Sequence, residues 1–430
     1  MRVSTQQIFQ AGLSGMLQQQ STLNQLSQQL STGNALTNPA DNPTAYSQSL
    51  NLGARIANLQ SYQQSNQYAQ QNLQLSSSSL QSVGTLIDQV KQLAVQMNNA
   101  TVNGNDLQNA VTQMQGNLQQ LVQLANTQDG NGAYLYGGSL TNRQPFTLQG
   151  NGQVVYQGDS SQQTLQIGPS LNMGVSQPGN QVFMNIPDGN GTFSVTPSGS
   201  NYSGGSGTVT LGPGSVINTS AANNAFVAQG VEYQVSVSAN ASGALSYSVS
   251  SGVASSSGAL SSSGVVSSGV YTPGQSITIP GPDGSPMATV QAQGQPADGQ
   301  TQSFTLAAAK PQSLFQTFSD LIEAFQAGSG SPGANAQRAQ GISNVLQNLS
   351  QAQTQVLSVQ AQIGSNLQEA QSVSSLNSNL TTQFQTTQSS LTDISYPQVI
   401  TQFQESSTAL QAAQKAFVQV QGLSLFNYIS

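Results

Sequence analysis

The sequence has no cysteine, no histidine and no tryptophan, and only 5% of its 430 residues are charged. An average soluble domain carries about 25%. Without Cys there is no disulfide framework, thiol nucleophile or Cys-ligated metal. Without His there is no imidazole for a hydrolase triad or an ordinary zinc site. Lys and Arg number 7 against 14 acids, a net charge of −7. So few cations cannot build a phosphate-binding stripe, which argues against nucleic acid as a partner. No run approaches the roughly 18 apolar residues of a membrane span. Met1-Arg2-Val3-Ser4-Thr5-Gln6-Gln7 leads into an amphipathic pattern rather than the apolar core of about 7–15 residues that a secretory signal needs. If the protein leaves the cell, it is expected to do so without a cleaved signal peptide.

Gln, Ser, Asn and Thr fill the surface instead, and they divide the chain into three blocks. Residues 1 to about 130 are rich in Gln and Leu. The next block, to about 310, is rich in Gly, Ser, Thr and Val. The Gln, Leu and Ala pattern then returns. Helix, β and helix in that order predict an α+β protein: a helical coiled-coil rod made from both ends, with an inserted antiparallel β domain. The expected boundaries are an assembly helix and turn over 1–43, rod over 44–160, β domain over 161–310, rod over 311–396 and a second assembly helix over 397–430.

Seven-residue spacing places Phe9, Met16, Leu23 and Leu30 on one helical stripe, with Leu13 and Leu26 beside them. Gly33 is available as a left-handed cap, and Asn38-Pro39-Ala40-Asp41-Asn42-Pro43 reads as a turn. A second helix is predicted from about Thr44 to Met97. Its seams are Leu73, Leu80, Ile87 and Ala94, and Ser76, Val83, Val90 and Met97. A third starts near Asp106, an N-cap or first-turn acid. Near the C-terminus, Ile342, Leu349, Val356, Ile363, Ala370, Asn377, Phe384 and Leu391 recur every seven residues. A second row runs from Val345 to Ile394 and includes Asn366 and Thr387. The pattern predicts one helix of about 60 residues, roughly 90 Å long, weakened only by Gly341 and Gly364. After Pro397, a last helix carries Phe403, Leu410, Ala413, Phe417 and Val420, and the chain ends Leu423-Ser424-Leu425-Phe426-Asn427-Tyr428-Ile429.

The middle block alternates with period two. Val231 to Val237 and Leu245 to Val249 predict a hairpin. Further strands are predicted over Val182 to Ile186, Thr192 to Thr196, Thr208 to Leu211, Ser276 to Ile279 and Ser303 to Leu306. The Ser- and Gly-rich stretch from Ser250 to Ser268 reads as a flexible loop.

Chemistry is sparse. Asp88 and Lys91 are spaced as a surface helix pair, and Asp320 and Glu323 as a solvated face. Asp129-Gly130-Asn131-Gly132 and Asp188-Gly189-Asn190-Gly191 lack the ligand spacing of a calcium loop and read as turns. The reading is of no enzyme, no cofactor and no metal site.

The opening helix, Leu30-Ser31-Thr32-Gly33 with the Pro-flanked turn, Ala133-Tyr134-Leu135-Tyr136-Gly137-Gly138 with Pro145-Phe146 and Tyr156-Gln157-Gly158-Asp159, and the ending quoted above resemble the flagellin superfamily. More narrowly they resemble its hook–filament junction members. The resemblance covers roughly the first 160 and last 120 residues, with Gln181-Val182-Phe183-Met184 alone in the middle block. It implies a structural, exported component of the bacterial flagellum, assembled through its terminal helices as a homo-oligomer ring. Implied partners are the first hook-associated protein, flagellin and a flagellar export chaperone. It also implies type III export and terminal segments (1 to about 40, 400 to 430) that order on assembly. Phe9, Leu13, Met16, Leu23, Leu26, Leu30, Phe403, Leu410, Ala413, Phe417, Val420, Leu423, Leu425 and Phe426 are then the expected subunit-packing residues.

This chain departs from the family by losing charge: Asn42 stands where a second acid is common, Gln and Asn replace Arg around Gln360 to Asn366, and Ser395 replaces an acid. Contacts carried by apolar groups and amides are therefore expected, insensitive to salt and low pH. A filament flagellin is the alternative within the family, disfavoured by Pro43 and the ending. A secreted β-rich adhesin with a coiled-coil stalk is the alternative outside it; it would not need matched terminal helices and would usually carry a secretory signal.

Overall fold

A computed structural model describes residues 5–99, 101–150, 152–198, 201–202, 207–254 and 260–429, leaving aside the side chains of 5, 6, 8, 254, 261–263 and 420–429. Eight helices are described: α1 (Thr5–Thr32), α2 (Pro43–Met97), α3 (Gly104–Ala125), α4 (Gly179–Phe183), α5 (Thr219–Ala222, continued by a π turn), α6 (Leu314–Gln326), α7 (Pro332–Thr392) and α8 (Tyr396–Ile429). The chain divides into two compact units. One comprises residues 1–66, 167–171 and 372–430, and the other 67–166 and 172–371.

In the larger unit the predicted seams are core. Leu73, Leu80, Ile87 and Ala94 with Ser76, Val83, Val90 and Met97 are buried, as are Ile342, Leu349, Val356, Ile363 and Ala370 of α7. The start of α3 is a capping box: the Asn103 side chain accepts from the Asp106 amide (3.0 Å), and the Asp106 carboxylate accepts from the Asn103 amide (3.2 Å). Gly341 does more than weaken its helix. A Cβ there would lie 2.8 Å from Ala324 Cβ, so its absence lets α6 approach α7.

Among the described residues, fifteen strands lie between α3 and α6. β1 (Phe146–Leu148) and β2 (Val154–Tyr156) form one ribbon, and β3 (Thr164–Gly168) and β4 (Leu171–Gly174) another. β5 (Ile186–Pro187) pairs with β15 (Pro311–Gln312). A five-stranded antiparallel sheet has the order β11-β10-β9-β14-β6, built from β6 (Phe193–Pro197), β9 (Val231–Ala239), β10 (Leu245–Ala254), β11 (Leu260–Val270) and β14 (Thr301–Ala308). β7 (Thr210–Leu211), β8 (Ser215–Val216) and β12 (Ser276–Pro280) pair with β13 (Pro286–Gln293) to make the other main sheet. Val235, Val237, Val249 and Phe304 of the first sheet share one core with Leu211, Ile277, Ile279 and Val290 of the second. Phe193 stacks on Phe226 within it, with ring centroids 5.1 Å apart.

Two sequence expectations are corrected. Val182 to Ile186 is not a strand: Pro178, at φ −61°, starts the short helix α4, and the consecutive residues Val182 and Phe183 are both fully buried, which an alternating strand facing one core cannot do. Nor is Ser250 to Ser268 a loop throughout. Ser250 pairs with Val265 and Val249 with Ser267, so ladder formation overrides the Ser and Gly composition; residues 255–259 lie outside the described ones.

Amide side chains take the place that ion pairs hold elsewhere. Gln340 of α7 accepts from the Leu211 amide (2.7 Å) and donates to its carbonyl (2.9 Å), as a neighbouring strand would. Asn201 makes the same pair of bonds with Ser303 (2.8 and 2.7 Å), and Asn126 with Phe146 (2.9 and 2.8 Å). Even Asp88 and Lys91 are bridged by Gln353, which accepts from Lys91 Nζ (2.5 Å) and donates to the Asp88 carboxylate (3.0 Å). Gln340→Leu leaves two buried backbone groups without partners, at about 1–3 kcal/mol each. Urea unfolding should show a loss of that order, while Gln347→Leu, at an exposed amide, should cost much less.

Candidate subunit-packing face

The smaller unit contains both terminal helices, and they pack antiparallel. The Phe9 and Phe417 ring centroids are 4.8 Å apart. Gln19 Nε2 donates to the Ser406 carbonyl (3.3 Å), and Asn34 bridges Asp393. Gly12 sits under the Phe417 ring, where a Cβ would lie 3.4 Å from Cδ2.

The turn below α1 explains its motif. Gly33 has φ +71°, and its amide donates to the Gln29 carbonyl (2.8 Å), closing the helix. The Asp41 carboxylate then accepts from the Asn38 amide (2.9 Å), Thr37 Oγ1 (3.0 Å) and Gln25 Nε2 (3.0 Å). Asn42 accepts from the Ala45 amide (3.1 Å) and caps α2, with Pro43 as its first residue. Asn serves at an N-cap as well as Asp, so the missing second acid costs this turn little. In the same unit Arg55 lies over the Phe384 ring, 6.0 Å from its centroid, and Asn377 is buried with its Nδ2 donating to the Ile167 carbonyl (3.0 Å).

The helix pair covers only part of its own apolar surface. Of the predicted packing residues, Leu26 is buried. Met16, Leu23, Leu30, Phe403, Leu410, Ala413 and Phe417 are half-buried, and Phe9 and Leu13 are exposed. Val420, Leu423, Leu425 and Phe426 lie outside the residues whose side chains are described. The sequence reading missed Leu17, 58% exposed, and Val418, 65% exposed, together with Ile400. Leu17 lies one turn from Leu13 and Val418 beside Phe417, off the seven-residue rows, so a strict heptad count passes over them.

The aromatic motif residues of the larger unit converge. Tyr136, Phe146, Tyr156, Phe183 and Phe315 form one cluster, with ring-centroid separations from 4.9 to 5.9 Å. Tyr156 Oη donates to the Tyr136 and Asp159 carbonyls (3.0 and 2.7 Å). The Asp159 carboxylate accepts from the amides of Ser139 (2.8 Å) and Ser161 (3.0 Å) and from Ser139 Oγ. These bonds hold the carboxyl below its ordinary pKa. Such a group contributes stability above its unfolded pKa, lost as pH falls through the folded one. Asp159→Asn should therefore lose less stability than the parent on acidification below about pH 4, measured by urea unfolding at each pH. Asp320 has the opposite sign. It is half-buried rather than on a solvated face, and burial raises its pKa against the hydrogen bonds from Gln316 (2.8 Å) and Gln312 (2.5 Å). Acidification relieves that site as pH falls through its folded pKa.

The two Asp-Gly-Asn-Gly segments are occupied turns. Asp129 accepts from the Asn131 and Ala133 amides (both 2.9 Å) and from Tyr68 Oη (2.8 Å). Asp188 accepts from the Lys310 amide (2.7 Å). Among the described residues no group of three or more acids could hold a metal ion, and no helix is long and apolar enough to cross a membrane.

Residues 3–141 match the bacterial flagellin N-terminal helical region. Flagellar hook-associated protein 3 of Salmonella typhimurium is 34% identical over 186 residues, and that of Escherichia coli 33%. The match covers 43% of this chain and 58% of either relative. A crystal structure of flagellar hook-associated protein 3 from Legionella pneumophila superposes with a TM-score of 0.67 at 28% identity, covering 79% of this chain and 98% of that one. The chain is thus similar to flagellar hook-associated protein 3 over part of its length, and spans less than two thirds of the curated relatives it matches. FlgL of Xanthomonas campestris gives a TM-score of 0.65 at 26% identity over 78% of this chain and 98% of its own. Long helices from both ends with an inserted antiparallel β domain, the arrangement predicted for this chain, are what the structure shows.

Proposed function

We propose that this protein is a structural component of the bacterial flagellum that joins hook to filament, polymerising into a ring through α1 and α8. The observation that carries the reading is the apolar stripe through Phe9, Leu13 and Leu17 on α1 and Val418 on α8, which the subunit leaves uncovered. Ordering a residue costs about 1–2 kcal/mol, and burying a Leu or Phe contributes about 1.5–3. Helices with one half-covered stripe gain most of their stabilisation when neighbouring copies cover it. The hook-associated protein 3 relatives supply the flagellar context.

On this reading the subunit is exported by the flagellar type III route, with an export chaperone shielding the stripe in the cytoplasm. In place it contacts the first hook-associated protein on one side and flagellin on the other. It carries no catalytic role. Deleting the gene should leave completed hooks and flagellin shed into the medium, and gold-labelled antibody should mark a single band at the hook–filament boundary. Label along the whole filament, or normal filaments in the deletion strain, would overturn the assignment.

A further inference from the structure

The two outer edges of the five-stranded sheet differ. On β6, the Val195 carbonyl accepts from Asn344 Nδ2 of α7 (3.0 Å), and the strand ends at Pro197. At the opposite edge, β11 pairs with β10 alone, and no strand lies on its outer side among the described residues. Proteins normally protect such an edge with charge, proline or β-bulges. Between Leu245 and Val270 this chain has no charge and no proline, and its one protection among the described residues is the pair of register shifts in the β10–β11 ladder, the first at Val266. Val265 is 65% exposed and Val270 78% exposed, with Val266 exposed between them.

We infer that β11 is a self-pairing edge, and that its occupant is the β11 of a second copy of this chain, antiparallel and centred on Val265. Two features of the sequence select this occupant. The strand reads almost the same in both directions about Val265: Leu260 falls opposite Val270, Ser262 opposite Ser268, Ser263 opposite Ser267, and Val265 opposite itself. Val265 meets itself and Ser meets Ser at two positions, pairs that antiparallel sheets favour, while Gly264 falls opposite Val266 and Ser261 opposite Gly269. The strand is also uncharged in a chain of net charge −7, so two copies meet here without the repulsion they feel elsewhere. The contact is separate from α1 and α8 and does not depend on assembly through them. It links two subunits by their β domains.

The absence of Cys makes the test direct. In full-length Val265→Cys the introduced thiol is unique, and directly opposed residues in an antiparallel pair lie close to disulfide distance. Under mild oxidation this variant should form covalent dimers at least about tenfold faster than Val227→Cys, whose site is equally exposed but off the edge, because pairing raises the local thiol concentration. The parent should show a reversible dimer in sedimentation at about 100 µM, abolished by Val265→Lys with Val266→Lys. Equal cross-linking at the two positions, or a dimer that survives both lysines, would overturn the proposal.

Discussion

Replacing Leu13 and Leu17 together by lysine should abolish assembly while leaving the subunit's own unfolding nearly unchanged. Both side chains are exposed in the subunit, and surface substitutions typically shift stability by no more than about 0.5 kcal/mol. In the assembly each is expected to be buried, and losing that burial removes about 1.5–3 kcal/mol per residue and leaves an uncompensated ammonium. The loss across two positions is about 3–6 kcal/mol, roughly a hundred- to ten-thousandfold in association. Cells carrying the double variant should shed flagellin, and the purified variant should melt with the parent. Phe417→Ala is the informative contrast. Its ring packs against Phe9 and over Gly12 within the same subunit, so it should weaken both the helix pair and the assembly. Normal filaments from the double-lysine strain would show that the stripe is not the contact.

A large effect on the subunit itself is expected at Gly138. Its φ is +72°, and a Cβ there would lie 2.6 Å from the Asp159 carbonyl oxygen and still closer to its carboxylate. Alanine cannot adopt this conformation cheaply, and the clash would force Asp159 off the Ser139 and Ser161 amides. The cost is about 3–5 kcal/mol, combining left-handed strain with the lost hydrogen bonds. The damage should spread to the aromatic cluster, because Tyr156 Oη donates to the Asp159 carbonyl. Gly132 has a similar φ of +82° but open space around it, so Gly132→Ala should cost only about 1 kcal/mol. Urea midpoints for the two variants separate steric locking from turn strain, and equal losses would contradict the lock.

The helices were legible because their signal is local and periodic. Leu80, Val83, Ile87 and Val90 recur at the spacing of one face, and that face is buried. The turn before α2 was legible because two prolines and a capping asparagine act on their own neighbours. What escaped the sequence reading depends on partners far along the chain. β11 looks like a linker by composition and becomes a strand only beside β10. Gln340 is one glutamine among many until it meets Leu211, 129 residues away. Asp320 reads as solvated because the burial that raises its pKa comes from the tertiary structure around it. On the terminal helices the heptad rows pass over exposed Leu17 and Val418, because both lie off the seven-residue spacing.

Hydrogen exchange, followed residue by residue in the free full-length subunit and after assembly onto hooks, tests the proposed role of the terminal helices most directly. Amides of residues 5–32 and 396–429 should exchange rapidly in the free subunit and slow by at least about a hundredfold on assembly, while the β9 and β14 amides stay equally protected in both. Terminal amides as protected in the free subunit as in the assembled state would mean that the helix pair is complete by itself, and would contradict the account.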